Sequence, residues 1–519
     1  MTSSMSEYGT LVDSEIDEER NTIIYKTYCS RWLMLILFSG LTFTNSFLWI
    51  SFSSIEVYTG EFFDVSRTAV NFLSVIYMIM YLPGSFFSAY MLSAQGFRKT
   101  IVCGALFNLA GAWLRYVSVF LPPASGWLRY AVLFSGQLLC AIGQPFFVNT
   151  SAKLAGDWFA ASERDLATVV AALVNPIGNA AGQALPPIFV TCEDNSMHLN
   201  NSTASTCESS DDIHGMGNLL VMQALVASVT SLAAILLFKR APPTPPSASA
   251  SQRNDIIQSR SNNTSPNISD EHALLSEERK DLHWKDALEN DSLAQIKRDL
   301  LTLVTDKQFQ KMIVGFGLGL GIFNALLTML AQLIQPIYYN SDGVLDKASL
   351  SNDAGLYGML LIGTGLVGAG IFGYLLDVYK SYRLALKSLF TCSALSMVIF
   401  FVSIEPNNQI MLGICSCLVG FFALPLLPVT LQTAVECTYP IPEELSSACL
   451  VLFGNIVGII CTFSIQSLLD LEHYRKFSNY NTVFTPSLLF VSCTMFIAWI
   501  ALISFDGKYK RLEVEAGLN

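Results

Sequence analysis

Charge is scarce in this chain. Of its 519 residues only 14% are charged, against roughly a quarter in soluble globular proteins, and the acidic ones gather in the first twenty positions and a central polar stretch. Histidine is scarcer still: His198, His214, His272, His283 and His473 all fall outside the long apolar runs, so a histidine proton relay or a histidine-ligated haem within a membrane finds no support. No Cys/His metal spacing, nucleophile elbow or phosphate loop occurs, and neither an enzyme nor a resident metal or other cofactor is expected. The chain opens on an acidic leader (Glu7, Asp13, Glu15, Asp17, Glu18, Glu19) instead of a basic region and a short apolar core, so a signal peptide is not expected. A formal net charge of -11 makes nucleic acid an unsuitable partner.

What is abundant is apolar sequence. Hydrophobic residues make up 52% of the chain and the mean hydropathy is +0.45. Twelve stretches approach the roughly 20 residues a helix needs to cross a bilayer. The first six run approximately Trp32–Ile55, Phe72–Leu92, Ile101–Leu121, Tyr130–Val148, Ala167–Val190 and Gly217–Phe238. The second six run approximately Lys311–Ile334, Ala354–Leu376, Leu384–Ile404, Ile410–Leu431, Leu445–Leu468 and Pro486–Phe505. They are continuously apolar, without the alternation of a barrel strand, so the expected fold class is an all-α membrane protein with twelve transmembrane helices in two six-helix bundles.

The chain then divides into an acidic tail (1–30), an N-terminal bundle (31–238), a linker (239–309), a C-terminal bundle (310–505) and a short tail (506–519). Lys26, Arg31, Arg98, Lys99, Lys153, Arg164, Lys239, Arg240, Lys380, Arg383, Lys387, Lys508, Lys510 and Arg511 all fall on one side, which places both tails and the linker in the cytoplasm. The linker begins Pro242-Pro243-Thr244-Pro245-Pro246 and reads as disordered. From Asp270 to Asp306 its apolar residues recur at the spacing of an amphipathic helix. The loop from Thr191 to Met216 falls outside; it carries sequons at Asn200 and Asn201 together with Cys192 and Cys207, so a glycoprotein with a Cys192–Cys207 disulfide is expected.

Buried polar side chains are costly in lipid unless they bond one another or a ligand. Asn45, Gln137, Gln144, Asn175, Asn324, Gln332 and Asn455 are therefore candidates for interhelical glue or for a central cavity, whereas Arg115, near the outer end of helix three, reads as snorkelling to the interface. The acids in or near spans, Glu56, Asp377 and Glu436, sit near span ends. This favours facilitated diffusion over coupling through a midplane carboxylate. Glycines crowd helix seven (Gly315, Gly317, Gly319, Gly321) and helix eight; Gly319 and Gly321 are assigned a gating bend, and Pro336 the end of helix seven. Tyr8-Gly9-Thr10-Leu11 and Asp270-Glu271-His272-Ala273-Leu274-Leu275 have the form of sorting signals that adaptors could read, at the plasma membrane or an endolysosomal or vacuolar membrane.

Two six-helix sets with a cytoplasmic connector resemble the major facilitator fold, whose halves rock about a site near the bilayer midplane. That family's basic, Asp-containing turn is matched after helix eight by Gly373-Tyr374-Leu375-Leu376-Asp377 with Lys380 and Arg383. After helix two the acid is replaced by Ser93. Asp377 is thus a candidate gating residue, and Glu436 a brace at the cytoplasmic end of helix ten. More narrowly, the chain resembles solute carrier family 49, on Asn45-Ser46-Phe47-Leu48-Trp49-Ile50, Trp113-Leu114-Arg115, Gly136-Gln137-Leu138-Leu139-Cys140-Ala141-Ile142-Gly143-Gln144, Ala152-Lys153-Leu154-Ala155-Gly156-Asp157-Trp158-Phe159 and Ala434-Val435-Glu436-Cys437-Thr438-Tyr439-Pro440. Asn175-Pro176-Ile177-Gly178 and the tail Tyr509-Lys510-Arg511-Leu512 point to one branch of it.

The resemblance implies a monomeric transporter of a small-molecule substrate. Relatives move choline and ethanolamine, enclosing the ammonium with aromatics and glutamines. Trp49 matches the enclosing tryptophan, while the helix-seven tyrosine is Asn324 here, the helix-five glutamine Pro176 and the helix-eleven glutamine Asn455. The expected substrate-binding set is Trp49, Gln144, Asn175, Asn324, Gln332 and Asn455, and the expected solute a choline- or ethanolamine-like amine or organic cation. Another metabolite, such as a vitamin or haem, or a non-transporting receptor or scaffold, is the alternative.

Overall fold

A computed structural model describes residues 27–510, apart from 123–125, 193–212, 245, 247–296, 340–343, 380, 405–407, 440, 442 and 477–485. Helices one to six are Ser30–Ile50, Arg67–Gln95, Phe97–Val117, Gly126–Val148, Ala161–Ala184 and Met216–Leu237. Helices seven to nine are Lys307–Ile334, Lys347–Tyr379 and Tyr382–Val402. Helix ten is in two pieces, Gln409–Ala423 and Leu426–Thr438, followed by helix eleven, Glu443–Lys476, and helix twelve, Pro486–Ile503. Glu56–Phe63, Ser151–Trp158 and Pro186–Phe189 are short connecting helices, and Thr191–Cys192 pairs antiparallel with Ile213–His214 in a two-residue ribbon.

Eleven of these helices are long and apolar enough to span a membrane. Helix five is the exception among the twelve, because Glu163, Arg164, Asp165, Asn175, Asn179 and Gln183 interrupt it. It holds its place by close packing on helix one. A Cβ at Gly178 would strike the Phe43 carbonyl oxygen, and one at Gly182 would lie 2.7 Å from Ile50 and 2.9 Å from the Phe47 carbonyl oxygen, the small-residue contact typical of membrane helices.

The spans also bend where local chemistry dictates. Helix seven is capped by Asp306, whose carboxylate accepts from the Gln308 and Phe309 amides at 2.7 and 3.3 Å. It breaks at Met329 (φ -114°, ψ 16°), not at its glycines. Gly319 and Gly321 instead let neighbours in: their Cβ positions lie 2.7 Å from Phe390 and 2.5 Å from Val457. Pro336 falls in the 3-10 turn Gln335–Tyr338 that follows. Helix ten divides at Leu424 and Pro425, since proline has no amide to continue the ladder.

Each half packs within itself, helix one on five and six and helix three on four and six, then seven on eleven and twelve and eight on ten. Between the halves the contacts run chiefly through two pairs, helix two with eleven and helix eight with five, equivalent pairs if helices one to six and seven to twelve are superposed. These contacts favour the face remote from the described chain ends. Toward the face that carries those ends, helix eight stands clear: no atom lies within 4 Å of a Cβ at Gly370 or Gly373, and Tyr374 and Tyr379 are exposed. Among the described residues the halves are joined at the remote face and parted at the terminal one. Of the predicted amphipathic linker helix, only 297–305 is helical within the described residues, with Leu303 buried; the remainder lies outside them.

Candidate functional site

Helix one turns Asn45 and Trp49 inward, and each is met by a neighbour. The Asn45 amide donates to Asn108 Oδ1 at 3.1 Å and to the Cys140 carbonyl at 2.9 Å. Gln137 donates to the carbonyls of Leu48, Trp49 and Leu73 at 3.3, 3.3 and 3.0 Å. Both are interhelical glue. The Trp49 indole donates to the Ser74 carbonyl at 3.0 Å, and its ring centroid lies 6.3 Å from that of Tyr77. Its plane is therefore fixed at the boundary between helices one and two.

Arg115 corrects the sequence reading. It is buried, not snorkelling: its guanidinium donates to the Leu48 carbonyl at 3.3 Å, Ser51 Oγ at 3.0 Å and Gln223 Oε1 at 2.9 Å, and lies 4.8 Å from the Phe52 ring centre. The charge sits at the carbonyl end of helix one, where the helix dipole is negative.

Toward the middle of the molecule the halves meet at Gly458 of helix eleven. Its Cβ position lies 3.2 Å from Met78 Sδ of helix two and 3.6 Å from Asn324 Cβ of helix seven. Asn455 lies three residues nearer the parted face on the same side of helix eleven. On helix five, Asn175, Asn179 and Gln183 form one stripe at four-residue spacing. Asn179 donates to Asn175 Oδ1 at 3.5 Å, and Gln183 donates to the Leu327 carbonyl at 2.9 Å across the junction. Trp49, Asn175, Asn324 and Asn455 thus lie on helices that border the junction between the halves. Gln144 lies two turns beyond Gln137 toward the parted face, half-buried.

Gln332 stands elsewhere. At the joined face it exchanges hydrogen bonds with Asn71, at 3.0 and 3.3 Å, while Asn71 also donates to Gln466 Oε1 at 2.5 Å and Gln466 donates to Asp470 at 3.0 Å. Arg67 donates to Gln335 Oε1 at 2.8 Å and lies 4.0 Å from Glu56. Ser53 donates to the Leu327 and Thr328 carbonyls at 2.7 and 2.9 Å, Ser351 to the Ser54 carbonyl at 2.8 Å, and Lys347 pairs with Glu61 at 2.7 Å. This is a polar latch between the halves. The Glu56 side chain is buried, its Oε2 has no hydrogen-bond partner among the described residues, and burial pushes its carboxyl up to about 7 against the opposing pull of Arg67.

Most of the latch escapes a sequence reading, because Asn71, Gln183, Gln335 and Gln466 look like any other amide in an apolar run. The one available signal is depth: each falls near the same end of its helix. Of the expected gating residues, Glu436 is buried in the second piece of helix ten and Gly319 and Gly321 are packing contacts. The side chain of Asp377, like that of Ser93, lies outside the described residues, as do Asn200, Asn201 and Cys207.

Residues 35–462 match the family model of the Major Facilitator Superfamily. Over 95% of its length the chain is 29% identical to solute carrier family 49 member A3 of Xenopus tropicalis, covering 91% of that protein. It is 27% identical to the choline/ethanolamine transporter FLVCR2 of Homo sapiens, with 95% and 80% of the two chains covered, and to the mouse choline/ethanolamine transporter FLVCR1, with 94% and 77% covered. Among solved structures, a D-xylose-proton symporter superposes with a TM-score of 0.63 at 12% identity, over 93% of this chain and 99% of that one. The inward-open xylose transporter XylE of E. coli gives 0.61 at 12% identity, over 94% and 99%.

Proposed function

The chain belongs to the Major Facilitator Superfamily, where it fits solute carrier family 49, and from that premise we propose that it carries a small amine or organic cation, choline- or ethanolamine-like, by alternating access. Two relatives are named as choline/ethanolamine transporters. The observation that carries the reading here is the fixed Trp49 indole beside the junction of the halves. A tryptophan face attracts an ammonium ion that has few or no hydrogen bonds to give. Around the junction Asn175, Asn324 and Asn455 offer carbonyl oxygens to an ethanolamine nitrogen or either solute's hydroxyl.

With the basic loops in the cytoplasm, the parted face opens inward and the latched face is the outer one, a state ready to release solute to or load it from the cytoplasm. The two halves form separate bundles joined by the cytoplasmic linker. Both tails are cytoplasmic, the protein works as a monomer, and sorting adaptors reading the tail and linker signals set its residence at the plasma membrane or an endolysosomal or vacuolar membrane. It performs no chemistry on its solute.

Uptake of radiolabelled choline and ethanolamine into proteoliposomes tests this. Saturable uptake is expected, with KM raised about tenfold or more in Trp49→Ala, since loss of a desolvated cation–π contact is worth roughly 2 kcal/mol. Absence of saturable uptake of either amine, or wild-type KM in Trp49→Ala, would sink the assignment and favour the receptor reading or another solute.

A further inference from the structure

Among the described residues around Glu56, three acids meet two bases. Glu56 and Glu61 of the short helix after helix one and Asp470 of helix eleven face Arg67 of helix two and Lys347 of helix eight. Arg129 of helix four, which packs below the same short helix, is turned to the Phe62 and Phe63 rings at 4.3 and 5.5 Å and donates to the Phe62 carbonyl. Lys347 is taken by Glu61. Arg67 is divided between Glu56 at 4.0 Å and Gln335 at 2.8 Å, and the Gln332 amide, which also draws Glu56 down, is shared with Asn71. The buried Glu56 carboxylate is therefore only partly compensated while the latch is shut.

We infer that Glu56 is a proton-binding site that locks the outer latch: a proton on its carboxyl holds the halves together at the outer face, and loss of that proton releases them. The inference rests on the alternating-access reading. Neutral Glu56 removes the uncompensated buried charge and gains an O–H that can donate to the amide oxygens around it. When the outer face opens, the carboxyl meets water and returns toward its ordinary value of 4.5, whereas in the shut latch it is raised to about 7. The shut state therefore binds the proton more tightly. Its extra stability is complete below the ordinary value and is lost as pH rises through about 7. Because Glu56 lies on the outer side of the solute junction, the proton leaves to the side from which it came. The site senses the pH of the outer compartment without carrying protons across the membrane.

Hydrogen–deuterium exchange of the full chain in nanodiscs, corrected for intrinsic rates, reads this directly. Between pH 5 and pH 8.5 the shut-to-open ratio of the wild type is expected to fall up to roughly a hundred-fold, with faster exchange in peptides covering residues 53–71 and 329–339 and none of this response at the terminal face. Glu56→Gln, nearly isosteric and uncharged, is expected to stay protected at both pH values. Arg67→Gln is expected to shift the midpoint to higher pH, which a merely structural role would not do. PH-independent protection in the wild type, or a wild-type response in Glu56→Gln, overturns the lock even where uptake is intact. A pH response without amine uptake supports the lock and counts against the solute assignment alone.

Discussion

Arg115 is the residue on which one-dimensional reading and three-dimensional structure part most clearly. A lone arginine near the outer end of an apolar helix suggests an interfacial side chain. In the fold it turns inward, because helix one ends beside it and presents the Leu48 carbonyl and Ser51, with Gln223 of helix six closing the third side. Three acceptors and an aromatic face hold the charge without a carboxylate. Arg115→Ala is expected to cost about 1–3 kcal/mol, the penalty of leaving buried neutral acceptors unpaired, and to lower the thermal midpoint in detergent by several degrees. Arg115→Lys should recover only part of the loss, since a single ammonium cannot reproduce the guanidinium fork. An unchanged midpoint in Arg115→Ala would refute the capping role. The same limit explains the site. Trp49 stands out in the sequence because an aromatic at that position carries chemistry of its own, but the bond between Asn71 and Gln466 joins residues 395 positions apart, and no local pattern announces it.

At the scale of elements, the apolar runs located the helices well because lipid imposes length and continuity on any span. Their ends and breaks were less visible. Helix eleven extends to Lys476, eight residues beyond its predicted end at Leu468, since a helix can continue past the hydrocarbon. The break at Met329 has no proline or glycine at the spot to signal it. Helix five depends on two glycines more than on hydrophobicity. Gly178→Leu is expected to push helices one and five apart, because any side chain there meets the Phe43 carbonyl, and to reduce folded yield and thermal stability sharply, with Gly178→Ala intermediate. Size-exclusion profiles of the variants at equal expression would check this, and a monodisperse, fully stable Gly178→Leu would contradict it.

For the whole molecule, the balance between its two access states depends on how firmly the latch holds. The reciprocal Asn71–Gln332 bonds and the Asn71–Gln466 bond join helix two to helices seven and eleven at once. Asn71→Leu takes from the buried Gln332 and Gln466 side-chain oxygens their Asn71 donor in the shut state only, a cost of roughly 1–3 kcal/mol. That corresponds to about a five- to 150-fold shift toward the state in which the latched face is open. Faster exchange in residues 329–339 at fixed pH, with the pH midpoint set by Glu56 still present, is the expected result. Unchanged protection would show that the latch bonds do not set the balance. The two-bundle layout was readable from the spacing of apolar runs, whereas the state in which the bundles rest was not, because it depends on amides that meet only after both halves have formed.

Helix five also bears on how the protein is made. A segment interrupted by Glu163, Arg164, Asn175, Asn179 and Gln183 partitions poorly into lipid as it leaves the ribosome, and the surface that shelters it, the Phe43–Ile50 stretch of helix one, has been synthesised more than a hundred residues earlier. The face of the first helix that the fifth covers therefore lacks that cover until the fifth has been synthesised. The close pairing of these two helices can therefore form only after most of the N-terminal half has been made.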